Sequence, residues 1–553
     1  MMQLRHDQAF PVLSAADVSR LVRFGIARRY AQGEALFVAG QVGPGMVVLL
    51  QGSVSVVQRN ALQPERLVAS QGPGEFVAEL SQMSGKPALE DVFADGEVEG
   101  LVIAPPALRL LIVEEAELGE RITRALILRR VALIESGVSG AVIVGPASSP
   151  AVIRLQNFLT RNGQPHHHFD PVRDEHQCPL ATHYEIGAQE AVVVCPDGTL
   201  LHSPSNDELA RVLGLIDARE RDEIYDVAII GAGPAGLATA VYAASEGLRV
   251  IVMDGSAYGG QAGASARIEN YLGFPTGISG RALAARAYVQ AQKFGAEVLI
   301  PASVTNLHWS PDDASRLTTL TLGDGRRIAA RTVVIASGAR YRRLNVPGFS
   351  MFEGRGIWYW ASPIEARISR GQVVLLAGGG NSAGQAAVFL APQVERVVML
   401  VRGDGLAASM SRYLVDRIAA SPNIELLTHR EVTALEGDEL DGLSSVTWSD
   451  TRDASTESRP IRNFFLFVGA QPVLDFLGDC PIARDAAGFV LTGEGISEVD
   501  AQPDTPRPSA LETNARGIFA VGDVRSGSVK RVGGAIGEGA AVVSQIHQYL
   551  ASH

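Results

Sequence analysis

Residues 223–256 read EIYDVAIIGAGPAGLATAVYAASEGLRVIVMDGS. The apolar run IYDVAII predicts a buried strand, the segment Gly231 to Gly236 a tight turn opening a helix, and RVIVMD a second strand that ends on Asp254. Each residue type has a physical task in that pattern. Gly231, Gly233 and Gly236 permit the turn, the close approach of a pyrophosphate and the close packing of helix on strand. The helix N-terminus offers unpaired N–H groups to the anion, and Asp254 is placed to accept ribose hydroxyls. A glycine fingerprint alone is a weak signal. Strand, turn, helix, strand and terminal acid in this order specify an adenine dinucleotide bound to a parallel α/β domain.

Residues 371–402, GQVVLLAGGGNSAGQAAVFLAPQVERVVMLVR, repeat the pattern with Gly378, Gly380 and Ala383 at the three small positions and Asn381 and Ser382 opening the helix. The second strand now ends on Arg402 instead of an acid. A carboxylate there repels the 2'-phosphate of NADP, whereas an arginine accepts it. Two sites of unlike preference predict FAD at one and a nicotinamide dinucleotide, NADPH or NADH, at the other.

Two further stretches extend the pattern. In residues 513–550, TNARGIFAVGDVRSGSVKRVGGAIGEGAAVVSQIHQYL, Gly522-Asp523 follows an apolar strand, and Arg531 lies eight residues on from Asp523. Residues 259–280, GGQAGASARIENYLGFPTGISG, supply Gly260, Gln261 and Asn270. Together with the two glycine turns, these resemble the thioredoxin reductase-like flavoproteins over about 224–553. The resemblance implies an FAD half (224–345), an inserted NAD(P) domain (346–468) and a returning FAD half (469–553). It also implies that Asp523 holds the ribityl chain of FAD, that Gly260, Gln261, Asn270, Gly522 and Arg531 contact the flavin nucleotide, and that the protein is a homodimer.

The chain departs from that family where electrons should leave. The family carries a redox dithiol, C-A-T-C, just before the first strand of the inserted domain. Here residues 354–363 read GRGIWYWASP, and aligning Tyr359 and Ala361 with the family's Y-C-A-T-C places Trp360 and Pro363 at the two cysteine positions. Neither side chain can be oxidised and reduced in turn. The family's NADPH arginines are reduced to Arg402, with Gly403 and Ala407 at the others, and Val532 replaces a glutamine beside Arg531. NADH therefore stays open beside NADPH. Trp358, Tyr359 and Trp360 are open to two readings: a cover or slot at the flavin ring, or packing between domains.

Upstream, residues 1–137 read as short glycine-punctuated strands closed by a helix at 114–136. The punctuation GEALFVAGQVGPGMVVLLQGSV resembles the cyclic-nucleotide-binding β-roll. That resemblance places Glu79 at a ribose hydroxyl, but Ala88 stands where the family's phosphate-binding arginine belongs. Without that charge-assisted fork the roll is expected to be structural or dimer-forming, with weak cyclic-nucleotide binding at most. Residues 138–217 alternate as strand, helix, strand, strand, strand, helix and resemble a glutaredoxin-like thioredoxin domain. Its C-x-x-C turn is replaced by Pro146-Ala147-Ser148-Ser149-Pro150. His166, His167 and His168 are adjacent on a strand, so they alternate between faces and do not converge on a metal.

Composition agrees with several soluble α/β cores. The 553 residues are 46% hydrophobic and 20% charged, with 58 glycines. A net charge of −12 argues against a nucleic acid partner. No leader pattern or membrane-length apolar run is found, which predicts a cytoplasmic protein. The three cysteines, Cys178, Cys195 and Cys480, form no C-x-x-C pair. The expected architecture is an α/β multidomain chain: β-roll, small thioredoxin-like domain, then two Rossmann-like dinucleotide-binding domains. The expected chemistry is hydride transfer from NAD(P)H to FAD, with electrons leaving directly to a small-molecule or protein acceptor. The alternatives are a flavin-bound redox sensor acting through domain rotation, and a disulfide reductase using a distant cysteine such as Cys480.

Overall fold

The computed structural model describes residues 2–60, 63–78, 87–136, 140–171, 190–217, 219–310, 317–438, 442–497 and 507–552. The continuous apolar runs of the sequence are strands buried on both faces. In Met46–Gln51, Met46 and Val48 enter one apolar cluster while Val47 and Leu49 enter another. The same division runs through Ile224–Ile230, with Val227 and Ile229 on one side and Ala228 and Ile230 on the other. It recurs in Val373–Ala377, where Val374 and Leu376 part from Leu375 and Ala377. Successive strand side chains point to opposite faces, so a strand covered on both sides shows no polar alternation.

The N-terminal part is β-rich: two four-stranded antiparallel sheets, one ordered Ile26–Tyr30, Val98–Ile103, Met46–Gln51, Phe76–Val77, the other Ala35–Phe37, Asp91–Ala94, Val54–Asn60, Gln63–Gln71. The helix Ala116–Ser136 closes it, as expected, but another helix, Pro105–Glu114, comes first. Pro105 and Pro106 hid it from the pattern, yet they occupy its first turn, where missing N–H groups cost nothing. Leu108, Leu111 and Ile112 join Leu118, Ile122 and Leu126 in a cluster that also holds Val227, Ile229 and Val289. The roll is thereby docked on the first dinucleotide unit. Glu79 lies outside the described residues. Ala88 is buried in the roll's inner cluster, its carbonyl accepting from Gly40 N–H and its own N–H donating to Gln41, both at 2.8 Å.

A third sheet has the order His166–Phe169, Ala141–Val144, Val192–Val194, Leu200–His202, the first pair parallel and the others antiparallel. The helices Pro150–Arg161 and Asn206–Val212 accompany it. His168 pairs with the Gly145 carbonyl at 2.8 Å and His166 with that of Gln164 at 3.1 Å. Among the described residues no group of three ligands could hold a metal, and no helix is long and apolar enough to cross a membrane.

The first dinucleotide sheet runs Glu297–Leu299, Val250–Met253, Ile224–Ile230, Arg327–Ile335, Thr318–Leu322, Val304–His308. Ile518–Ala520, nearly 200 residues later, adds in parallel beside Arg327–Ile335. Between them lies an all-parallel sheet, Ile357–Trp358, Asn463–Leu466, Val373–Ala377, Arg396–Val401, Ile424–Thr428. The chain enters and leaves this inserted unit through one antiparallel pair, Ala339–Tyr341 with Ala470–Pro472.

Trp358 belongs to the core of the inserted unit. It is 6% exposed, and its indole N–H donates to Asn463 Oδ1 at 2.8 Å; the Asn463 amide in turn donates to Gln372 at 2.9 Å. Trp358→Phe orphans a buried acceptor and should lower the free energy of local opening of this sheet by about 1–3 kcal/mol. Hydrogen exchange at Leu375 and Phe464 measures it; unchanged protection contradicts the packing role.

Candidate functional site

The glycine turns are set by steric closeness. Gly231 has φ +108, and a Cβ there would lie 2.4 Å from the Ala336 carbonyl oxygen; at Gly236 it would lie 1.9 Å from that of Gly231. The helix Pro234–Ser245 can approach the turn only because these positions lack side chains. Asp254 closes the loop. Its Oδ2 accepts from Ala232 N–H at 2.9 Å, while Oδ1 accepts from Ser256 N–H at 2.9 Å and Ala257 N–H at 3.1 Å. The sequence assigned this carboxylate to a ribose, and the fold gives it a prior task in holding the turn. Oδ2, with a single partner, keeps a lone pair for a hydroxyl.

Gly260 crosses this turn closely, a Cβ on it falling 3.1 Å from Gly233 Cα. Gln261 donates its side-chain amide to the Ala339 carbonyl. From the C-terminal part, Gly522 N–H donates to Glu538 at 2.7 Å, and the Lys530 ammonium donates to the Asp523 carbonyl at 2.7 Å. Burial raises the Asp523 carboxyl above the usual carboxylate range, opposed by Lys530 and reinforced by Glu538.

These groups line one cavity of about 1390 Å³. Gly231, Gly233, Asp254 and Gly260 line it, and so do Gln261, Asn270, Asp523 and Arg531. Gly236 and Gly522 stand behind that wall. Of the second glycine motif, Asn381 and Ser382 face the cavity, whereas Gly378, Gly380, Ala383 and Arg402 do not. Gly380 caps the helix Asn381–Leu390, Ala383 is buried, and Arg402 is exposed at the end of its strand. Tyr341 lines the cavity with Ser382 and Asp523; burial pushes its hydroxyl up, opposed by Ser382 and reinforced by Asp523. Arg417 of the inserted unit pairs with Glu269 at 2.5 Å.

Tyr359, Trp360 and Ala361 line the same cavity, and Pro363 sits in the first turn of the short helix Pro363–Ile368. Behind them Glu365 is fully buried. Its Oε1 accepts from the Trp360 indole at 3.1 Å and from Asn157 Nδ2 at 3.0 Å; its Oε2 accepts from Ser362 N–H at 3.0 Å and from the Ser362 hydroxyl. The S-x-x-E spacing of Ser362 and Glu365 was a legible capping box. Asn157, Tyr341 and Arg161, which also lines the cavity, carried no such signal.

No cysteine lines this cavity among the described residues. Cys195 and Cys480 are buried in separate clusters, and burial raises their thiols to about 12 and about 11. Thiols so raised are unreactive near neutral pH. Cys178 lies outside the described residues.

The pyridine nucleotide-disulphide oxidoreductase family model matches residues 225–539, and the cyclic nucleotide-binding domain model matches 27–115. A thioredoxin reductase of Treponema pallidum (strain Nichols) is 32% identical over 326 residues, 59% of this chain and 97% of that protein. One from Streptomyces clavuligerus is 31% identical over 332 residues, 60% and 95%. Among solved structures, Lactococcus lactis thioredoxin reductase in its FR conformation aligns over 60% of this chain and 100% of its own with a TM-score of 0.53 and 27% identity. The match spans the returning strand as well as both glycine turns, and nearly the whole length of each relative falls on it. The chain is therefore a thioredoxin reductase-like member of the pyridine nucleotide-disulphide oxidoreductase family, with a cyclic nucleotide-binding domain ahead of that region.

Proposed function

We propose that the protein is an FAD-dependent NAD(P)H oxidoreductase that passes electrons from the flavin directly to a small-molecule or protein acceptor. The observation that carries this reading is the single cavity lined by the first glycine turn, Asp523, the Asn381–Ser382 turn and Trp360, with no thiol among its described wall residues. The residues fit an adenine dinucleotide: the turn at Gly231 and Gly236 and the crossing at Gly260 leave no room for side chains, and the helix Pro234–Ser245 begins at Gly233 on the cavity wall. FAD, when bound, supplies the hydride acceptor. Gly231, Gly233 and Gly260 would approach its diphosphate, Asp254 a ribose, and Asp523 the ribityl chain. Asn381 and Ser382 would take the nicotinamide dinucleotide, with Arg402 nearest its adenosine end. Trp360 and Tyr359 would exclude water from the ring.

A second reading, a redox sensor acting through rotation of the inserted unit, is favoured by the helix Pro150–Arg161. Its unit, read as thioredoxin-like on its strand order, contacts both dinucleotide units: Asn157 bonds Glu365, and Asn162 bonds the Ser256 carbonyl at 2.9 Å. An enzyme turns over a dye; a sensor is reduced once and stops. With NADPH or NADH, multiple turnovers of ferricyanide or a quinone and no reduction of a thioredoxin disulfide are expected. Thioredoxin reduction at a rate comparable to the dye contradicts the proposal, and flavin reduction without dye turnover transfers it to the sensor.

Trp360 at the ring should quench flavin emission by electron transfer and slow hydride access. Trp360→Ala should then raise flavin fluorescence and speed stopped-flow reduction; no change in both places the indole away from the ring. In the roll, Ala88 is a core position without a phosphate-binding guanidinium. Loss of one charge-assisted contact weakens binding by roughly ten- to a hundredfold. Calorimetry with cAMP and cGMP should show no binding in the micromolar range; micromolar affinity for either contradicts this.

A further inference from the structure

The helix Pro150–Arg161 shows two faces. Val152, Leu155, Phe158 and Leu159 pack under its own sheet. Ile153, Asn157 and Arg161, four residues apart, form a separate stripe that leaves the small unit altogether. Ile153 enters the apolar cluster of the inserted unit beside Ala361 and Ala366, and Asn157 reaches Glu365. Arg161 ends the stripe at the cavity. Its Nη2 donates to the Gly260 carbonyl at 3.0 Å, its Nε is buried without a hydrogen-bond partner, and it forms no ion pair among the described residues. Burial lowers its pKa, with Asp254 the charge opposing that shift. A guanidinium has five N–H donors, and a buried one is costly unless those donors meet acceptors. Gly260, to which it is tied, is the residue that abuts Gly233 of the pyrophosphate turn. A diphosphate seated on that turn supplies the acceptors and the countercharge in the planar geometry arginine favours.

We propose that Arg161, supplied by the small unit upstream of the reductase-like region, is a ligand of the diphosphate of the bound dinucleotide. The small unit then completes the flavin site instead of merely spacing the roll from it. This rests on the assignment of FAD to the first glycine turn.

The test uses the full-length chain freed of flavin and titrated with FAD, ADP and riboflavin. Arg161→Gln keeps a donor for the Gly260 carbonyl and removes the charge. It should weaken FAD and ADP alike by roughly ten- to a hundredfold and leave riboflavin, which has no phosphate, unchanged. Arg161→Lys should recover part of the loss. Arg154→Gln, which removes a charge from the same helix at a residue bonded to Asn206 and Pro204 within the small unit, should bind FAD as the wild type does; a loss equal to that of Arg161→Gln would mean that the helix or its net charge, not the Arg161 guanidinium, sets the affinity, and would overturn the proposal. Wild-type FAD affinity in Arg161→Gln overturns it as well. A wild-type chain that binds ADP but no flavin overturns the FAD assignment itself, a different failure.

Discussion

The fully buried carboxylate of Glu365 ties three parts of the molecule together. It caps its own helix through Ser362, holds the Trp360 indole at the cavity wall and receives Asn157 from the small unit. Both oxygens are satisfied by N–H and O–H donors, which is what allows a charge to be buried there. Removing any donor leaves that charge underpaired, so the wall of the cavity and the docking of the bridging helix are coupled. Rotation of the inserted unit relative to the first must break the Asn157 bond, the Ile153 contact or the Arg417–Glu269 pair.

Much of this was legible in the sequence. The first turn was legible because two of its three glycines answer to local sterics: a Cβ on Gly231 or Gly236 would meet a backbone carbonyl oxygen at 2.4 or 1.9 Å. The strands of the Rossmann-like units followed from apolar runs long enough to be buried on both faces. Arg402 and the second glycine set were harder. Their residue types fit a dinucleotide, but which of them face the shared cavity depends on how the inserted unit is seated, and only Asn381 and Ser382 do. The three aromatic residues could not be separated by pattern either. Trp358 points into its own sheet, whereas Tyr359 and Trp360 reach the wall. Arg161 was invisible because nothing in a helix C-terminus announces a neighbour about a hundred residues away.

The substitutions at expected functional positions are structural fits. Pro363 occupies a helix first turn, where its missing N–H is harmless. Ser149, in the turn where a thioredoxin-like unit would carry a thiol, is buried and donates to the Glu190 carbonyl at 3.2 Å. Ala88 fills the roll's core. In each place the residue packs or caps instead of carrying charge or electrons.

The central claim is that no protein dithiol shares electrons with the flavin. Anaerobic titration of the purified holoprotein with NAD(P)H, followed in the flavin absorption band, counts the electrons directly. A flavin alone accepts about one equivalent of NAD(P)H, and a flavin coupled to a disulfide accepts about two, because the dithiol is itself a two-electron couple. The account predicts full bleaching with about one equivalent per flavin and no further uptake. Uptake of a second equivalent would contradict it.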